Sequence, residues 1–307
     1  MPSSVIRRFD YDEPSRRLDV QFVTGRRYSY HDVPATLVEA MRSARSKGQF
    51  FNARIRDHFR FTRETTGCIF VGTAGWSIAS RDRPEFPHGG SHLERYAARF
   101  NAVEINSSFH RPHRFDTYRR WAETVPPEFR FSVKLPKQIT HQLRLVDSER
   151  HIETFADQIA GLGEKLGAVL VQLPPKLAFD AGVANAFLAA LRAAIAAPIA
   201  WEPRHASWFT PEAEASLAER RVARVAADPA RVPEASDPGG WPGLRYFRLH
   251  GSPVIYRSAY GEGRLRGYAA TLRAGSACDS WCIFDNTAAM AAIGDALMFA
   301  RIMAEQG

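Results

Sequence analysis

The spacing of apolar and polar positions divides this chain into two stretches with different rhythms. In the first, residues 17–23 alternate: Leu18, Val20 and Phe22 face one way, Asp19 and Gln21 the other, as in a half-buried strand. Residues 5–9 and 27–31 predict two more short strands, the second with Tyr28 and Tyr30 on one face, and Thr24-Gly25 is a turn signal. Pro34 opens a helix over 34–44 with Leu37, Val38 and Met41 at helical spacing. Ser46-Lys47-Gly48 breaks it, and a second short helix holds Phe50, Phe51 and Ile55. The pattern predicts a small antiparallel sheet backed by helices.

From Ile69 onward, short apolar runs at 69–74, 102–106, 129–135, 168–173, 199–202, 222–227, 244–250 and 281–285 alternate with helical segments. Ser91-x-x-Glu94 is a capping box, and Thr210-Pro211 sets a cap before a first-turn proline. Residues 186–195 and 288–303 are long and alanine-rich, as helices prefer. Residues 238–243 make an irregular loop, so the helix before the seventh strand is short or absent. Runs apolar on both faces imply a sheet covered on both sides. Eight alternations of strand and helix imply an α/β fold, a (β/α)8 TIM-type barrel over 69–307. A small α+β domain, 1–63, and a linker, 64–68, precede it. A doubly wound open sheet is the alternative. No G-x-G-x-x-G follows the first of these strands, and Val71-Gly72-Thr73-Ala74-Gly75-Trp76 is not a P-loop.

The strands of the second stretch start apolar and end polar. The polar ends are Glu104 and Asn106; Lys134, followed by Thr140-His141; Gln172; Glu202 and Arg204; Asp228; Arg248 and His250; and Asp285 and Asn286. Residues two apart share a strand face, so 104 with 106, 202 with 204, and 248 with 250 point together, leaving Val103, Ile105, Phe247 and Leu249 for the helix side. The polar set is therefore expected to point into the barrel mouth, where TIM-type enzymes hold their active sites. Glu104, Lys134, Glu202, Asp228 and Asp285 are the catalytic candidates, since a carboxylate close to another has its pKa raised toward neutrality. Asn106, Arg111, Arg114, His141, Gln172, Arg204, Arg248, His250 and Asn286 are the substrate-binding candidates, the cations suited to holding phosphate. The competing reading is a salt-bridge network that closes the barrel top.

Composition adds a bias in charge. The chain has 307 residues, 45% hydrophobic with 20 Phe, enough for a large core, and a formal net charge of +8, which favours phosphate-bearing partners. In the first stretch, Arg26, Arg27, Arg45, Lys47, Arg54 and Arg56 are candidates for binding a nucleic-acid backbone, with Tyr28, Tyr30, Phe50 or Phe51 nearby for stacking. The other reading makes these aromatics a small core and the arginines a solvated face. Cys68, Cys278 and Cys282 are an odd, sparse set, expected of a reducing compartment, and nothing nearby completes a zinc site. The opening MPSSVIRRFD lacks an apolar signal core and no long apolar run follows, so a cytoplasmic protein without membrane contact is expected. A divalent-metal cofactor is a weaker reading. It would draw on Glu104, His141, Glu202, Asp228, His250 and Asp285, but no signature motif assigns a ligand.

Two resemblances sharpen this picture. The segments Ser4-Val5-Ile6, Phe9-Asp10-Tyr11, Leu18-Asp19-Val20-Gln21-Phe22, Val33-Pro34 and Ala44-Arg45-Ser46-Lys47-Gly48-Gln49-Phe50-Phe51-Asn52 resemble the KTSC domain. That module is also found fused to some lysyl-tRNA synthetases, and the resemblance implies contact with nucleic acid. Val103-Glu104-Ile105-Asn106-Ser107-Ser108-Phe109-His110-Arg111, Phe131-Ser132-Val133-Lys134, Val171-Gln172-Leu173-Pro174-Pro175, Glu202-Pro203-Arg204-His205-Ala206-Ser207-Trp208, Arg248-Leu249-His250-Gly251 and Ile283-Phe284-Asp285-Asn286-Thr287 resemble the YecE-like barrel family, a domain of unknown function. This implies the architecture and the pocket, not a reaction; His110 stands where that family more usually has Tyr. Two functions follow: an enzyme on an anionic, phosphate-containing or nucleic-acid-related substrate, or a non-catalytic nucleic-acid-binding protein gripping the backbone with its first domain.

Overall fold

The computed structural model of the protein describes residues 6–22, 27–44, 46–64, 67–274 and 278–305. The chain divides into two units, Met1–Gly67 and Cys68–Gly307. The expected turn at Thr24-Gly25, the strand ends at Val5 and Val23, and Arg26 and Arg45 lie outside the described residues.

In the first unit, β1 (Ile6–Asp12), β2 (Arg17–Phe22) and β3 (Arg27–Tyr30) pair antiparallel in that order. β4 (Phe61–Glu64) adds to the free edge of β3. The predicted pattern lacks β4: four residues ending in Arg63-Glu64 show no period, and pairing with β3 is what makes them a strand. α1 (Ala35–Ser43) follows Pro34, and α2 (Lys47–Arg54) is capped by the Ser46 side chain, which accepts from Gln49 N. Leu18, Val20, Tyr30, Val38, Met41, Phe51 and Ile55 form the core, with Tyr28 and Phe50 packed against it. The stacking role expected of these aromatics is corrected for Tyr30 and Phe51, which are buried in this core, whereas Tyr28 and Phe50 are half-buried. The opposite sheet face is polar. Arg8, Asp10, Asp19, Gln21 and Arg27 line a shallow depression, with ion pairs Arg8–Asp10 at 2.9 Å and Arg17–Asp19 at 3.1 Å. Arg27 shares this face, whereas Lys47, Arg54 and Arg56 belong to α2 and the turn after it, which pack on the face carrying Tyr30 and Phe22. The sheet thus separates the cations expected to act together.

In the second unit the strands are β5 (Ile69–Thr73), β6 (Ala102–Ile105), β7 (Arg130–Lys134), β8 (Leu166–Gln172), β9 (Ile199–Glu202), β10 (Val222–Arg224), β11 (Ala226–Asp228), β12 (Gly239–Gly240), β13 (Leu244–Leu249) and β14 (Asp279–Phe284). The helices between them are α3 (His92–Ala97), α4 (Phe115–Thr124), α5 (Glu149–Ile159), α6 (Ala181–Ala194), α7 (Pro211–Glu219), α8 (Glu262–Ala274) and α9 (Ala292–Ala304). The Ser91–Glu94 capping box and the Thr210 cap before Pro211 both form. Before β13 there is no α-helix, only a single 3-10 turn, Pro233–Ser236, and β12.

The strands lie in two sheets, ordered β12-β10-β9-β8-β7-β6 and β11-β13-β14-β5, with every neighbour parallel except β12. This differs from one continuous ring. The run expected at 222–227 is interrupted at Val225, so β10 pairs with β9 and β11 with β13. At the other margin, Ala74 and Glu104 form a single parallel bridge, and Gly75 N donates to Glu104 O at 2.8 Å. Gly72 permits this approach, since a Cβ there would stand 2.1 Å from Ala102 O.

Alternation sorts the strand residues into two cores. Val103, Ile105, Phe131, Val133, Val169, Val171, Trp201, Phe247, Leu249 and Phe284 pack on the helix side. Ala102, Ala168, Leu170, Ala200, Ala223, Val225, Leu244, Tyr246, Trp281 and Ile283, drawn from both sheets, form a separate inner cluster. Each large side chain so buried stabilises the fold by about 1.5–3 kcal/mol. The inner parity continues past the apolar layer to Glu104, Lys134, Gln172, Glu202, Arg248 and Asp285. Among the described residues, no helix is long and apolar enough to cross a membrane.

Candidate active site

At the C-terminal ends of the strands the inner face turns from apolar to ionic, and its centre is Arg248, fully buried. Its Nε and Nη2 donate to both carboxylate oxygens of Glu104, at 3.0 and 2.7 Å. Nη1 donates to Glu202 at 2.7 Å, and Nη2 also to Asp285 at 3.0 Å. Tyr246 Oη stands 2.9 Å from Glu104 and 2.8 Å from Ser132 Oγ. His250, two residues beyond Arg248 and so on the same face, lies 2.9 Å from Glu202 through Nε2 and 2.9 Å from Asp285 through Nδ1. Gln172 Nε2 reaches both oxygens of Glu202 at 3.1 and 3.0 Å, and Asn106 Nδ2 is 3.5 Å from Asp285. Taking charges out of water costs several kcal/mol per ion, and only such a saturated set of bonds offsets it.

Protons follow from this arrangement. Burial acts most strongly against the Glu202 carboxylate, yet Arg248, His250 and Lys134 outweigh it and hold Glu202 well below the usual carboxylate range. Asp285 is lowered in the same way, burial being overcome by Arg248 and His250. The expectation of carboxylates raised toward neutrality is corrected for these two, because a cation stands between them. Burial works against the His250 imidazolium, but Glu202 and the hydrogen bonds to Asp285 and Glu202 raise it above its ordinary value.

Lys134 closes β7 and is 6% exposed. Its Nζ lies 4.2 Å from the Phe109 ring centroid and makes no hydrogen bond or ion pair among the described residues. Burial, then Arg248, pushes this amine down to about 8, against the pull of Glu104, Asp285 and Glu202. The His141 ring stands edge-on to Phe109 at 5.0 Å, with Nδ1 2.8 Å from Thr140 Oγ1, and burial, then Lys134 and Arg204, lower its pKa. Half-buried Arg204 and exposed Arg231 line a cleft with Glu202, His250 and Ile255, and neither arginine is paired among the described residues.

Arg231 and Tyr256 escaped the sequence reading. Tyr256 carries φ 66, in the left-handed region that bulky residues avoid, and its ring packs 5.5 Å from that of His250. Both sit in loops without a period; the one available signal was their place just after strand ends.

Other candidates are elsewhere. Ala227 lines the cleft, so the next residue, Asp228, points outward, where Oδ2 accepts from Arg264 at 2.6 Å and Tyr268 at 2.8 Å of α8. Its catalytic assignment is corrected on that parity. Asn286 likewise follows an inward residue and donates to Ser258 O at 2.9 Å and Asp295 at 2.6 Å, tying a loop to α9 rather than facing the mouth. Arg111 and Arg114 are exposed before α4 and make no bond to the cluster among the described residues. No group of three or more His, Cys, Asp and Glu among the described residues is arranged to hold a metal ion.

A family model described as "Protein of unknown function DUF72" matches residues 70–307, and the KTSC domain model matches residues 2–59. UPF0759 protein YecE of Escherichia coli (strain K12) is 31% identical over 107 residues, 34% of this chain and 38% of that protein. The chain thus spans well under two thirds of the curated relatives it matches first. The lysine–tRNA ligase of Nostoc punctiforme is 40% identical over 58 residues, 19% of this chain and 10% of that enzyme. The crystal structure of a DUF72 family protein from Thermotoga maritima MSB8 superposes with a TM-score of 0.64 at 25% identity, covering 77% of this chain and 99% of that one.

Proposed function

Because the chain belongs to the DUF72 family over residues 70–307, whose description carries no reaction, we propose from the site itself that it is an enzyme acting on an anionic small molecule. The two parallel sheets are read as halves of one (β/α)8 barrel. The shared strand broken at Val225, the bridge at Ala74 and Glu104, and the common inner core support that reading. The mouth of such a barrel is where catalytic groups collect.

One observation carries the assignment to an anion. Every carboxylate of the cluster is saturated by Arg248, His250 or Gln172, whereas Lys134, Arg204 and Arg231 at the same strand ends are unpaired among the described residues. Uncompensated cations around a cleft suit a phosphate or carboxylate. His250, bridging Glu202 and Asp285, supplies a proton held in place for transfer, and neutral His141 supplies a base. Glu104 orients Arg248 through two bonds. The free thiols of Cys68, Cys278 and Cys282 suit the cytoplasm.

The test is incubation with a mixture of phosphorylated and carboxylated metabolites, read by mass spectrometry. The protein should consume a component that Glu202→Gln, folded by circular dichroism, leaves intact. Equal consumption by both, or by neither, overturns the reading.

A further inference from the structure

Resting on that reading of the site, we propose that Lys134 is a covalent nucleophile, which forms an imine with an aldehyde or ketone carbon of the anionic substrate.

Of 41 Lys and Arg residues only five are lysines: Lys47, Lys134, Lys137, Lys165 and Lys176. Arginine meets nearly every need for positive charge in this chain, yet the cation at the end of β7 is a lysine. The two differ in that a buried amine can lose its proton and attack carbon, which a guanidinium cannot.

The surroundings fit that difference. Three carboxylates lie close enough to act on Lys134, but each is bonded to Arg248, and none pairs with the amine. A lysine kept for structure would be expected to take one of them. Nζ rests instead on the Phe109 ring, 4.2 Å from its centroid, and the residue keeps 6% of its surface exposed. Arg248 beside it favours the free amine. His141, T-shaped against the same ring and close enough for Lys134 to lower its pKa, is placed to accept and return a proton.

The step balances. The deprotonated amine adds its lone pair to the carbonyl carbon, and the C=O π electrons become an alkoxide. The alkoxide takes up the proton shed by the ammonium, through His141. The adduct's nitrogen then gives its own second proton to the hydroxyl, again through His141, and the hydroxyl leaves as water while the freed nitrogen lone pair forms C=N. Overall, ammonium and carbonyl give iminium and one water, with charge unchanged.

The experiment uses the full chain with pyruvate, glyoxylate or glyceraldehyde 3-phosphate and sodium cyanoborohydride at pH 7, read by intact mass and peptide mapping. Lys134, whose amine lies at about 8, should be labelled about tenfold faster than any other lysine. The rate should rise through pH 8, reflecting Lys134 among Arg248, Glu104, Asp285, Glu202 and His141. Lys47, Lys137, Lys165 and Lys176 serve as internal controls, so no variant need fold. No adduct, or label spread evenly over the five lysines, overturns the proposal. Inorganic phosphate separates this from the broader reading. Phosphate that raises the melting temperature while Lys134 stays unlabelled sinks the imine and leaves the anion site. Label on Lys134 that phosphate does not slow upholds the imine and sinks the anion site.

Discussion

Two collections of arginines and carboxylates in this molecule make opposite use of the same chemistry. On the open face of the first unit, Arg8 pairs with Asp10 and Arg17 with Asp19, with side chains 32–72% exposed. In the second unit, Arg248 holds Glu104, Glu202 and Asp285 with side chains 0–7% exposed. Surface pairs gain little, because water screens them and two long side chains must be held still. The buried set has no water to fall back on, so each charge needs its partners in place. The lesson is that a polar surface tolerates change, whereas a polar core commits the chain to one geometry and leaves visible whichever group is left out of it, here Lys134.

Substitutions can break that contrast. Arg248→Met should have the largest effect, destabilising the second unit by about 3–5 kcal/mol in urea unfolding, because three carboxylates lose their cation. A loss below about 1 kcal/mol would make the cluster no different from the surface pairs. Acid comes next. Glu202 and Asp285 are held below their unfolded values, so they add stability above about pH 4 that is lost as pH falls through the lowered values. His250, held above its unfolded value of about 6.5, adds stability that is complete below that pH and lost as pH rises through the raised value. Melting temperature against pH should therefore fall on both sides of a plateau, and Glu202→Gln should shrink the acid limb. Asp228→Asn should cost about 1–2 kcal/mol through its bonds to Arg264 and Tyr268 while leaving turnover intact. Lys134→Met should have the opposite sign, a gain of about 1 kcal/mol, since an unpaired buried amine gives way to an apolar group of similar length. A large loss there would make Lys134 a structural residue. Arg8→Ala closes the series at about 0.5 kcal/mol or less.

Much of this was legible before any coordinates. The inward grouping of Glu104, Lys134, Gln172, Glu202, Arg248 and His250 follows from counting in twos along buried strands, where a slip of one residue would bury the wrong face. Asp228 failed because the strand is interrupted at Val225, and the parity counted from apolar residues does not say which side of the break a carboxylate takes. Asn286 failed for a related reason: it is the residue after an inward Asp285, where strand alternation sends it the other way. β4 and the two-residue β12 were illegible because neighbours, not local pattern, make them strands. Tyr256 and Arg231 belong to loops, whose paths depend on tertiary contacts.

The guanidinium of Arg248 has a consequence for how the second unit comes apart. Glu104 and Glu202 belong to one sheet, Arg248 and Asp285 to the other, and their sequence separations reach 144 residues. Prising the sheets apart would leave Arg248 with Asp285 alone of its three carboxylates, and Glu104 and Glu202 without their guanidinium. Partial openings of that kind break buried ion pairs before any half is free, so the unit should melt in a single cooperative step rather than one half after the other.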